Sequence, residues 1–487
     1  MRGRDRVYTA AEVRELDRTA IEDRGIPGIA LMKRAGRAVF DEVRRRWPTG
    51  RSLTAVCGSG NNAGDGYIVA GLAEEAGLDT TLLQVGDPEK LRGDAARARD
   101  WALSVGVVTS PFADGCDLAG DVLVDALLGT GVAGAVRPEH AAAIECINGC
   151  ERPVVAVDLP SGISADTGAV LGKAVRATAT VTFIGRKLGL FTGEGVDHAG
   201  DVVFDSLGVP EDIYGAAPGL RVLAPPEPRD RARSAHKHRF GHVLLIGGDH
   251  GMGGAPLLAA EAAFRTGAGL VSMLTRPEHC AGVLARRPEV MVRGVSEGDQ
   301  VEELFAACTV IGVGPGLGRG AWGRALLARA IAAGKPLVID ADGLNLVAED
   351  GAEVPSASVM TPHPGEASRL LGEERITDRP AAARALSERF DNVVVLKGAG
   401  TLVAQAGELR GICLDGNPWL ATAGSGDVLT GVVAGLAAQG FGLAEAAEAG
   451  VCLHATAGDA ARQRLAPRPL VAMDVVDHLW RTGTDAA

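Results

Sequence analysis

Residues 52–76 read SLTAVCGSGNNAGDGYIVAGLAEEA and pass from a short β-rich run, through a glycine-rich turn, into an apolar run of helical length. Glycines let the backbone turn sharply, and free N–H groups at a helix start can hold an anion such as pyrophosphate. The match to the G-x-G-x-x-G fingerprint is weak because Ala63 stands at the third glycine. A purely structural turn does not need the side-chain oxygens of Asn61, Asn62 and Asp65. The segment therefore predicts a ligand site at the end of a strand.

The alternation of strand and helix continues through both halves of the chain. Buried strands are predicted at 52–57, 79–85, 121–125, 154–158 and 178–183, and again at 242–246, 310–313, 337–340 and 393–396. Helix-length segments separate these runs, and long Ala-rich helices follow Gly426. This pattern is typical of α/β proteins with parallel sheets. We expect a Rossmann-like doubly wound sheet in the first half and a second α/β sheet in the other.

The chain length indicates more than one domain. Its 487 residues are about three times the usual ~150 per domain. Residues 217–233 hold four prolines and six charged residues in 17 positions, a composition suited to an exposed linker. We therefore predict an N-terminal domain at 1–217, a linker at 218–235 and a C-terminal domain at 236–487.

Composition limits the classes of partner. Lys plus Arg number 49 against 61 for Asp plus Glu, and the net charge of −12 argues against nucleic acid and membrane surfaces as partners. The charged N-terminus lacks the apolar core of a signal peptide, and no run approaches the ~18 apolar residues of a membrane span. The eight cysteines are scattered without a CxxC, which favours reduced thiols. We expect a soluble, cytoplasmic protein and leave open whether it is a homo-oligomer.

Acidic and polar side chains follow three strands of the first half. Asp125 precedes ALLGTG, Asp158 precedes LPSG, and the Asn61-Asn62 pair follows the first strand. Open α/β sheets bind ligands just outside the carboxyl ends of their strands. One carboxylate among neutral oxygens suits a monovalent or other hard cation, and a second can exchange a proton. Each Asp taken alone also fits a helix N-cap, so both interpretations stand.

Together with FIGRKLGL around Lys187, the motifs CGSGNNAGDG, VDALLGTG and VAVDLPSGI resemble the NAD(P)H-hydrate epimerase family over most of residues 10–215. The resemblance implies that Asp158 is the acid/base catalyst and that Asn62, Asp125 and Ser161 bind potassium. Lys187 is either a contact to substrate charge or a surface lysine. The implied contacts to the hydrated nicotinamide nucleotide are Asn61, Asn62, Ala63, Gly64, Asp65, Gly129, Thr130, Gly131, Val132, Ala133, Gly134, Ala135 and Asp158.

The second half has its own phosphate-type turn, TAGSGDVLTG at 422–431, which opens an apolar helix. Small residues at a helix N-terminus present N–H donors to a transferring phosphate. Asp427 can take a proton from an alcohol that attacks phosphorus, or it can be a first-turn carboxylate that satisfies the helix dipole. No Walker motif is present, because the candidate glycine-lysine pairs lack the required spacing and the following Ser or Thr.

This GSGD turn looks like that of the ribokinase-like superfamily. Within it, GGDHGMGGAP (247–256), GPGLG (314–318), IDADGLN (339–345), TPHPGEASRLLG (361–372), KGAGT (397–401) and GNPWLATAGSGD (416–427) resemble the ADP/ATP-dependent NAD(P)H-hydrate dehydratases. Trp419-Leu420 departs from that pattern. The resemblance implies a ribokinase-like fold, magnesium with ADP or ATP, and Asp427 as catalyst. The adenine nucleotide would contact Lys397, Gly398, Ala399, Gly400, Thr401 and Gly426, and the hydrated cofactor would contact Ala255, Gly316, Gly318, His363 and Asp427.

Both resemblances together imply a bifunctional repair enzyme for hydrated nicotinamide cofactors, NAD(P)HX. The first half would interconvert the R and S epimers, and the second would dehydrate the S epimer using ADP or ATP. Two other interpretations remain: a ribokinase-like small-molecule kinase with an N-terminal nucleotide-binding regulatory domain, and a non-catalytic nucleotide-binding scaffold. A stable phosphorylated product would favour the kinase, and absence of any turnover would favour the scaffold.

Overall fold

The computed structural model describes residues 5–113, 118–132 and 134–481. The chain divides into two compact units, Met1–Arg221 (unit 1) and Val222–Ala487 (unit 2). In the described part of the chain, no helix combines the length and apolarity needed to cross a bilayer.

Unit 1 has a seven-stranded, all-parallel sheet and a separate two-stranded antiparallel pair. Its strands are β1 (Arg6–Val7), β2 (Ser52–Cys57), β3 (Asp79–Gln84), β4 (Val108–Pro111), β5 (Val122–Ala126), β6 (Val154–Val157), β7 (Ala179–Phe183), β8 (Asp201–Asp205) and β9 (Leu220–Arg221). Its helices are α1 (Ala10–Arg18), α2 (Gly28–Arg46), α3 (Asn61–Glu75), α4 (Gly93–Ser104), α5 (Pro138–Gly149) and α6 (Gly195–Ala199).

The sheet of unit 1 is doubly wound. Its strand order is β4-β3-β2-β5-β6-β7-β8, so the order reverses between β2 and β5. Helices cover both faces: Val122 and Val124 pack into a core shared with α2, α3 and α4, whereas Leu123 between them packs with Ile144 and Ile147 of α5. Such a reversal opens a crevice at the carboxyl ends of the two central strands. The predicted α/β class is confirmed.

Unit 2 has one nine-stranded sheet with the order β12-β11-β10-β13-β14-β15-β16-β17-β18. Its strands are β10 (His242–Ile246), β11 (Leu270–Thr275), β12 (Met291–Gly294), β13 (Val310–Val313), β14 (Leu337–Ile339), β15 (Ser358–Met360), β16 (Val393–Leu396), β17 (Thr401–Gln405) and β18 (Glu408–Cys413). Its helices are α7 (Gly254–Thr266), α8 (Cys280–Arg286), α9 (Glu302–Ala307), α10 (Ala321–Ala332), α11 (Ala341–Asp350), α12 (Pro364–Leu371), α13 (Arg379–Phe390), α14 (Ser425–Ala438), α15 (Leu443–Leu465) and α16 (Ala472–His478).

Two features of unit 2 determine where its loops meet. In the order of the sheet, the seven strands from β12 to β16, including β10 and β11, run parallel. Strands β17 and β18 complete the sheet as an antiparallel hairpin. Helix α14 packs against α7 so closely that a side-chain carbon on Gly431 would lie 2.1 Å from the carbonyl oxygen of Ala259. Only glycine fits this contact, which fixes the N-terminal turn of α14 over the sheet.

The predicted linker, 218–235, is attached to the two units in different places. Residues 220–221 form β9, which pairs with β1 inside unit 1. Leu223 is buried in the core of unit 2, and its N–H donates to Ile412. Farther along, the guanidinium of Arg229 stacks on Phe441 and that of Arg231 on Phe240, both within unit 2. The proline-rich composition therefore corresponds to an anchored segment, and the structural division falls between residues 221 and 222.

Candidate active sites

The glycine turn of unit 1 lies where its sheet reverses order. Helix α3 begins at Asn61, directly after the turn that follows β2, and Asp125 lies near the end of the neighbouring β5. A cavity of about 1010 Å³ opens here. Residues predicted for the site that line the cavity are Asn61, Asn62, Asp65, Gly129, Thr130, Gly131, Val132, Asp158 and Lys187.

Other residues predicted to contact substrate lie elsewhere. Ala63 is fully buried in the core, and Gly64 packs against Met32 and Ala95, so any contact from these two to a nucleotide would have to come from the backbone. Gly134 and Ala135 are exposed, and the structure does not place them among the cavity-lining residues described here. Ala133 lies outside the described residues.

Asp158 has a strained backbone and a paired carboxylate. Its φ of 66° is in the left-handed region, which is uncommon for residues other than glycine. Its Oδ1 accepts hydrogen bonds from Lys187 Nζ, from Thr182 Oγ1 at 3.2 Å and from the N–H of Phe183 at 3.2 Å. In the described chain no donor reaches Oδ2, and the side chain is 17% exposed toward the cavity. This oxygen is therefore open to a ligand.

Lys187 is 1% exposed, which excludes the surface-lysine interpretation. It also donates to the carbonyl of Phe183 at 3.0 Å. Two further carboxylates, Asp17 and Asp65, line the same cavity. Burial raises the pKa of Asp17 to about 6, and burial together with the negative charge of Asp158 raises that of Asp65 well above its usual value. The cavity thus brings two carboxyl groups with raised pKa values close to a lysine-paired carboxylate.

Sequence reasoning missed Asp17. It lies on α1, more than 40 residues before the glycine turn, in a segment without any motif. The start of α1 is held next to the Lys187 segment by two backbone hydrogen bonds. Tyr8, just before α1, donates its N–H to the carbonyl of Arg186, and its carbonyl accepts from the N–H of Leu188. No local signal predicts this pairing.

The three residues proposed for potassium are connected by hydrogen bonds to one another and to the backbone of Leu128. Ser161 donates its hydroxyl to Asp125 Oδ1 at 2.6 Å and its N–H to Oδ2 at 2.8 Å. The N–H of Leu128 donates to the Ser161 hydroxyl at 2.9 Å, and the amide nitrogen of Asn62 donates to the Leu128 carbonyl at 3.1 Å. The structure therefore brings Asn62, Asp125 and Ser161 together.

The donor set there fits a weakly hydrated monovalent cation. Asp125 is fully buried, and no described Lys, Arg or His forms an ion pair with it. Burial raises its pKa to about 6 although Ser161 and Leu127 donate to it. A buried carboxylate without a cationic partner is costly, and a bound cation would relieve that cost. A single carboxylate with amide, hydroxyl and carbonyl oxygens has too little charge to dehydrate Mg²⁺.

The phosphate-type turn of unit 2 surrounds an ion-paired acid. Gly424, with φ at 86°, turns the chain into α14, and Asp427 lies in its first turn. Asp340, at the end of β14, accepts from Lys397 Nζ at 2.6 Å and from the hydroxyl of Thr430 at 2.9 Å. A side-chain carbon on Gly426 would lie 3.4 Å from Lys397 Nζ, so the lysine is directly beside the turn.

Asp427 is held as a weak acid. Burial and the negative charge of Asp340 raise its pKa to about 6, against the lowering effect of Lys397. Nearby Glu366 is also buried, which raises its pKa to about 7. These carboxyls surround the single ammonium group of Lys397, whose pKa is raised by Asp340 and Glu366 despite its burial. The arrangement supplies a base that titrates close to neutral pH beside a fixed positive charge.

The glycine-rich loops of unit 2 are hydrogen-bonded to one another. Asp249 donates its N–H to the carbonyl of Gly316 at 2.7 Å, and a side-chain carbon on Gly316 would lie 3.3 Å from that of Ala255. Gly318 donates its N–H to Asp342 at 2.9 Å. The structure thus brings Ala255, Gly316 and Gly318 into one loop cluster.

His363 caps α12. Its Nδ1 accepts from the N–H groups of Gly365 and Glu366, so the neutral ring carries its proton on Nε2. Burial and the charge of Lys397 lower its pKa, and the side chain is 52% exposed. A neutral, half-exposed donor suits binding.

The KGAGT loop is held in place by a residue that sequence reasoning missed. The buried guanidinium of Arg379 donates to the carbonyls of Leu396, Lys397 and Gly400. Thr401 donates its hydroxyl to the carbonyl of Gly398 at 2.8 Å. With these carbonyls satisfied, the loop of Gly398, Ala399 and Gly400 is preorganised.

Asp340 and Asp342, the two carboxylates of the IDADGLN segment, both have protein partners. Asp340 is paired with Lys397, and Asp342 accepts from Gly318 and from Asn345. Neither presents an unengaged carboxylate to a cation. Trp419 stacks with Arg462, and Leu420 packs beside Gly458 of α15, so the two residues that depart from the dehydratase pattern are held by that helix.

Comparisons with known proteins match both units. Residues 243–479 match the profile of the NAD(P)H-hydrate dehydratase family, and residues 28–189 match that of the YjeF-related protein N-terminus. The bifunctional NAD(P)H-hydrate repair enzyme Nnr of Coxiella burnetii is 44% identical over 485 residues, covering 97% of this chain and 98% of that protein. The corresponding enzyme of Escherichia coli K12 is 40% identical over 482 residues, covering 98% and 93%.

Two solved structures resemble about half of this chain each. An ADP/ATP-dependent NAD(P)H-hydrate dehydratase from Bacillus subtilis, co-crystallized with ATP/Mg²⁺, is 25% identical with a TM-score of 0.44, covering 53% of this chain and 92% of that one. A ribokinase-like superfamily protein from Enterococcus faecalis is 30% identical with a TM-score of 0.49, covering 53% and 90%.

Proposed function

The chain belongs to the bifunctional NAD(P)H-hydrate repair enzymes, and from that premise we propose which residues perform each reaction. Epimerisation of NAD(P)HX is assigned to the cavity of unit 1, and nucleotide-dependent dehydration to the GSGD turn of unit 2. The observation that carries this assignment is the presence of a separate acid/base set in each unit: Asp158 with Lys187, and Asp427 with Lys397.

In unit 1, Asp158 is the proposed acid/base catalyst. Asp158 lines the cavity, and Lys187 and the N–H of Phe183 fix its orientation through Oδ1. Asp65, whose pKa is raised by burial and by the charge of Asp158, is proposed to donate a proton to the substrate as Asp158 accepts one. The N–H groups at the start of α3 would hold the substrate's phosphates.

Potassium is proposed for unit 1, held by Asn62, Asp125 and Ser161. When bound, the ion would supply positive charge beneath the glycine turn. Asn62 and Ser161 keep the turn and the loop after β5 together through their hydrogen bonds to Leu128. Loss of this support should weaken substrate binding more than it changes proton transfer.

In unit 2, Asp427 is the proposed general base. It takes the proton from the substrate hydroxyl as that oxygen bonds to the terminal phosphorus of ADP or ATP, and the bond to the bridging oxygen breaks. The C–O bond to phosphate then breaks and inorganic phosphate leaves, the proton on the neighbouring ring carbon passes to solvent, and the double bond returns. Magnesium would arrive on the nucleotide's phosphates, and no step here depends on a protein ligand to it. The KGAGT loop and Gly426 are proposed to hold the adenine nucleotide.

The test uses the full-length protein with mixed NADHX epimers, with and without ADP. The epimer ratio and the absorbance of restored NADH are followed together. Asp427→Asn should lower dehydration by roughly two to four orders of magnitude and leave epimerisation unchanged. Asp158→Asn should lower epimerisation and leave dehydration of the S epimer unchanged.

Asp378→Asn is the matched control, because Asp378 caps α13 of unit 2 through the N–H of Ala381. It should leave both rates near the parent's. If folded Asp427→Asn dehydrates the substrate at the parent rate, Asp427 is not the base and only stabilises the start of α14. A stable phosphorylated product without NADH would instead indicate a kinase.

A further inference from the structure

Three potential metal ligands converge at the far edge of the unit 2 sheet. Cys413 is the last residue of β18, Asp415 follows two residues later, and Cys452 lies on α15. The two sulfur atoms and a carboxylate oxygen all lie within 4.8 Å of one another. The sequence favoured reduced thiols for the cysteines as a set, and the proposed repair reactions use none of the three residues.

The spacing is close to what a tetrahedral metal needs. Zinc–sulfur bonds of ~2.3 Å imply about 3.8 Å between two sulfur ligands in a tetrahedral site. Side-chain adjustments of about 1 Å would therefore complete the geometry. Cys413 is 1% exposed and Cys452 0%, whereas Asp415 is exposed. The sulfurs are thus shielded from solvent, and the carboxylate marks the side from which an ion can enter and keep a water.

The surroundings of the three ligands are negative. The Asp415 carboxylate receives no hydrogen bond or ion pair from the described residues, and Asp459 adds a second negative charge beside it. Asp459 accepts from the N–H of Gly416 and the amide of Asn417, both at 2.8 Å. No described Lys or Arg pairs with either acid. A cation would supply the charge that this group of residues lacks.

We propose that Cys413, Asp415 and Cys452 form a binding site for a thiophilic divalent cation of the zinc type. Two thiolates with one carboxylate are a donor set that selects such ions over Mg²⁺ or Ca²⁺. As the two metal–sulfur bonds form, the two S–H protons pass to the buffer. The bound ion ties the end of β18 to α15 and takes no part in the repair chemistry.

The test titrates the reduced, chelator-treated full-length protein with Cd²⁺ as a probe for zinc-type ions. We expect a thiolate-to-metal absorption band in the ultraviolet that saturates at one Cd²⁺ per chain, with release of two protons. The thermal unfolding midpoint should rise with Cd²⁺ or Zn²⁺ concentration. Cys413→Ser and Cys452→Ser should each remove the saturable band. Asp415→Asn should weaken Cd²⁺ binding roughly tenfold or more.

Cys308→Ser is the matched control, because Cys308 is equally buried in unit 2 but belongs to no such group among the residues that the structure describes. It should keep the band and the rise in unfolding midpoint. Absence of a saturable band in the folded parent would overturn the proposal, as would its survival in either cysteine variant. Because Asp415 is exposed, Asp415→Asn should fold even if the cysteine variants do not, and unchanged Cd²⁺ affinity there would also overturn it. A Cys413–Cys452 disulfide in protein purified without reductant would also overturn it, because the two sulfur atoms would then be bonded to each other and not to an ion.

Discussion

The buried environment of Asp427 should determine the pH range in which dehydration is fast. A general base must be unprotonated, and its pKa is raised to about 6 by burial and by Asp340. The kcat/KM for dehydration should therefore be level above that pH and fall about tenfold per unit below it. A pH profile with pure S epimer and saturating ADP measures this. A profile still level one unit below pH 6 would exclude Asp427 as the titrating base.

Asp17 should affect stability with a defined sign. Because its pKa is raised to about 6 in the folded chain, its protonation favours folding. That contribution is full below the unfolded value near pH 4 and is lost as the pH rises through about 6. At pH 7.5, Asp17→Asn should raise the free energy of unfolding by about 1–2 kcal/mol.

Urea unfolding of Asp17→Asn at two pH values measures this difference. The gain should vanish below pH 4, where the parent's carboxyl is protonated in both states. Asp23→Asn is the control, because Asp23 is exposed. An equal gain from both variants would indicate a general charge effect in place of the buried acid.

Asp125 tests the cation proposed for unit 1. Asp125→Ala should abolish any stimulation of epimerisation by potassium and leave ADP-dependent dehydration of pure S epimer intact. Asp121→Ala is the matched control, because Asp121 precedes the same strand at the opposite edge of the sheet, where it accepts from the N–H groups of Arg51 and Ser52. Equal epimerase rates with and without potassium in the parent would contradict the assignment.

At the scale of elements, the close packing of α14 on α7 should be sensitive to one methyl group. Gly431→Ala would place a carbon 2.1 Å from the carbonyl oxygen of Ala259 and force the helices apart. We expect a loss of about 1–3 kcal/mol in stability. Dehydration should slow as well, because α14 begins at the GSGD turn.

Gly282→Ala on α8 is the control for Gly431→Ala, since a side-chain carbon there meets nothing within 4 Å. It should be neutral or slightly stabilising. Urea unfolding and dehydration rates of both variants make the comparison. Equal effects from the two would show that the contact between the helices is not tight in solution.

The elements that the sequence predicted are the buried parallel strands. The predictions at 52–57, 242–246, 310–313 and 393–396 match β2, β10, β13 and β16 at both ends, because these runs are β-rich and a glycine follows each of them within two residues. The hairpin of β17 and β18 was missed: its turn is Ala406-Gly407, which carries no Asn-Gly or Asp-Gly signal.

For the site residues as well, the sequence predicted those that belong to a local motif and missed those that act through contacts distant in the chain. Residues in glycine-rich motifs, such as Asn62 and Asp427, were predicted because the motif and its chemistry are contiguous. Asp17 and Arg379 act through tertiary contacts with loops far along the chain, and no local pattern distinguishes them from other helical residues.

For the whole molecule, the boundary between units should separate the two activities. A fragment ending at Arg221 should epimerise only, and one beginning at Val222 should dehydrate the S epimer only. Ending the first fragment at Ala217 should destabilise it, because β9 and the hydrogen bond from the N–H of Gly219 to Glu12 are lost.

Epimer ratio, NADH absorbance and thermal unfolding of each fragment test this separation. The fragment ending at Ala217 is the internal control for the position of the cut. Absence of both activities from two soluble, folded fragments would show that the units depend on each other.

The pairing of β1 with β9 brings the two ends of unit 1 next to each other. Its first and last strands are adjacent and antiparallel, with Arg6 opposite Arg221. Neighbouring strands lie ~4.8 Å apart, so the entry and exit of this chain segment are side by side. Such a unit can be inserted into a host loop or circularly permuted without stretching its fold. The repair enzyme is therefore modular in a topological sense: its epimerase unit could be moved to another position in a chain, with new termini cut elsewhere.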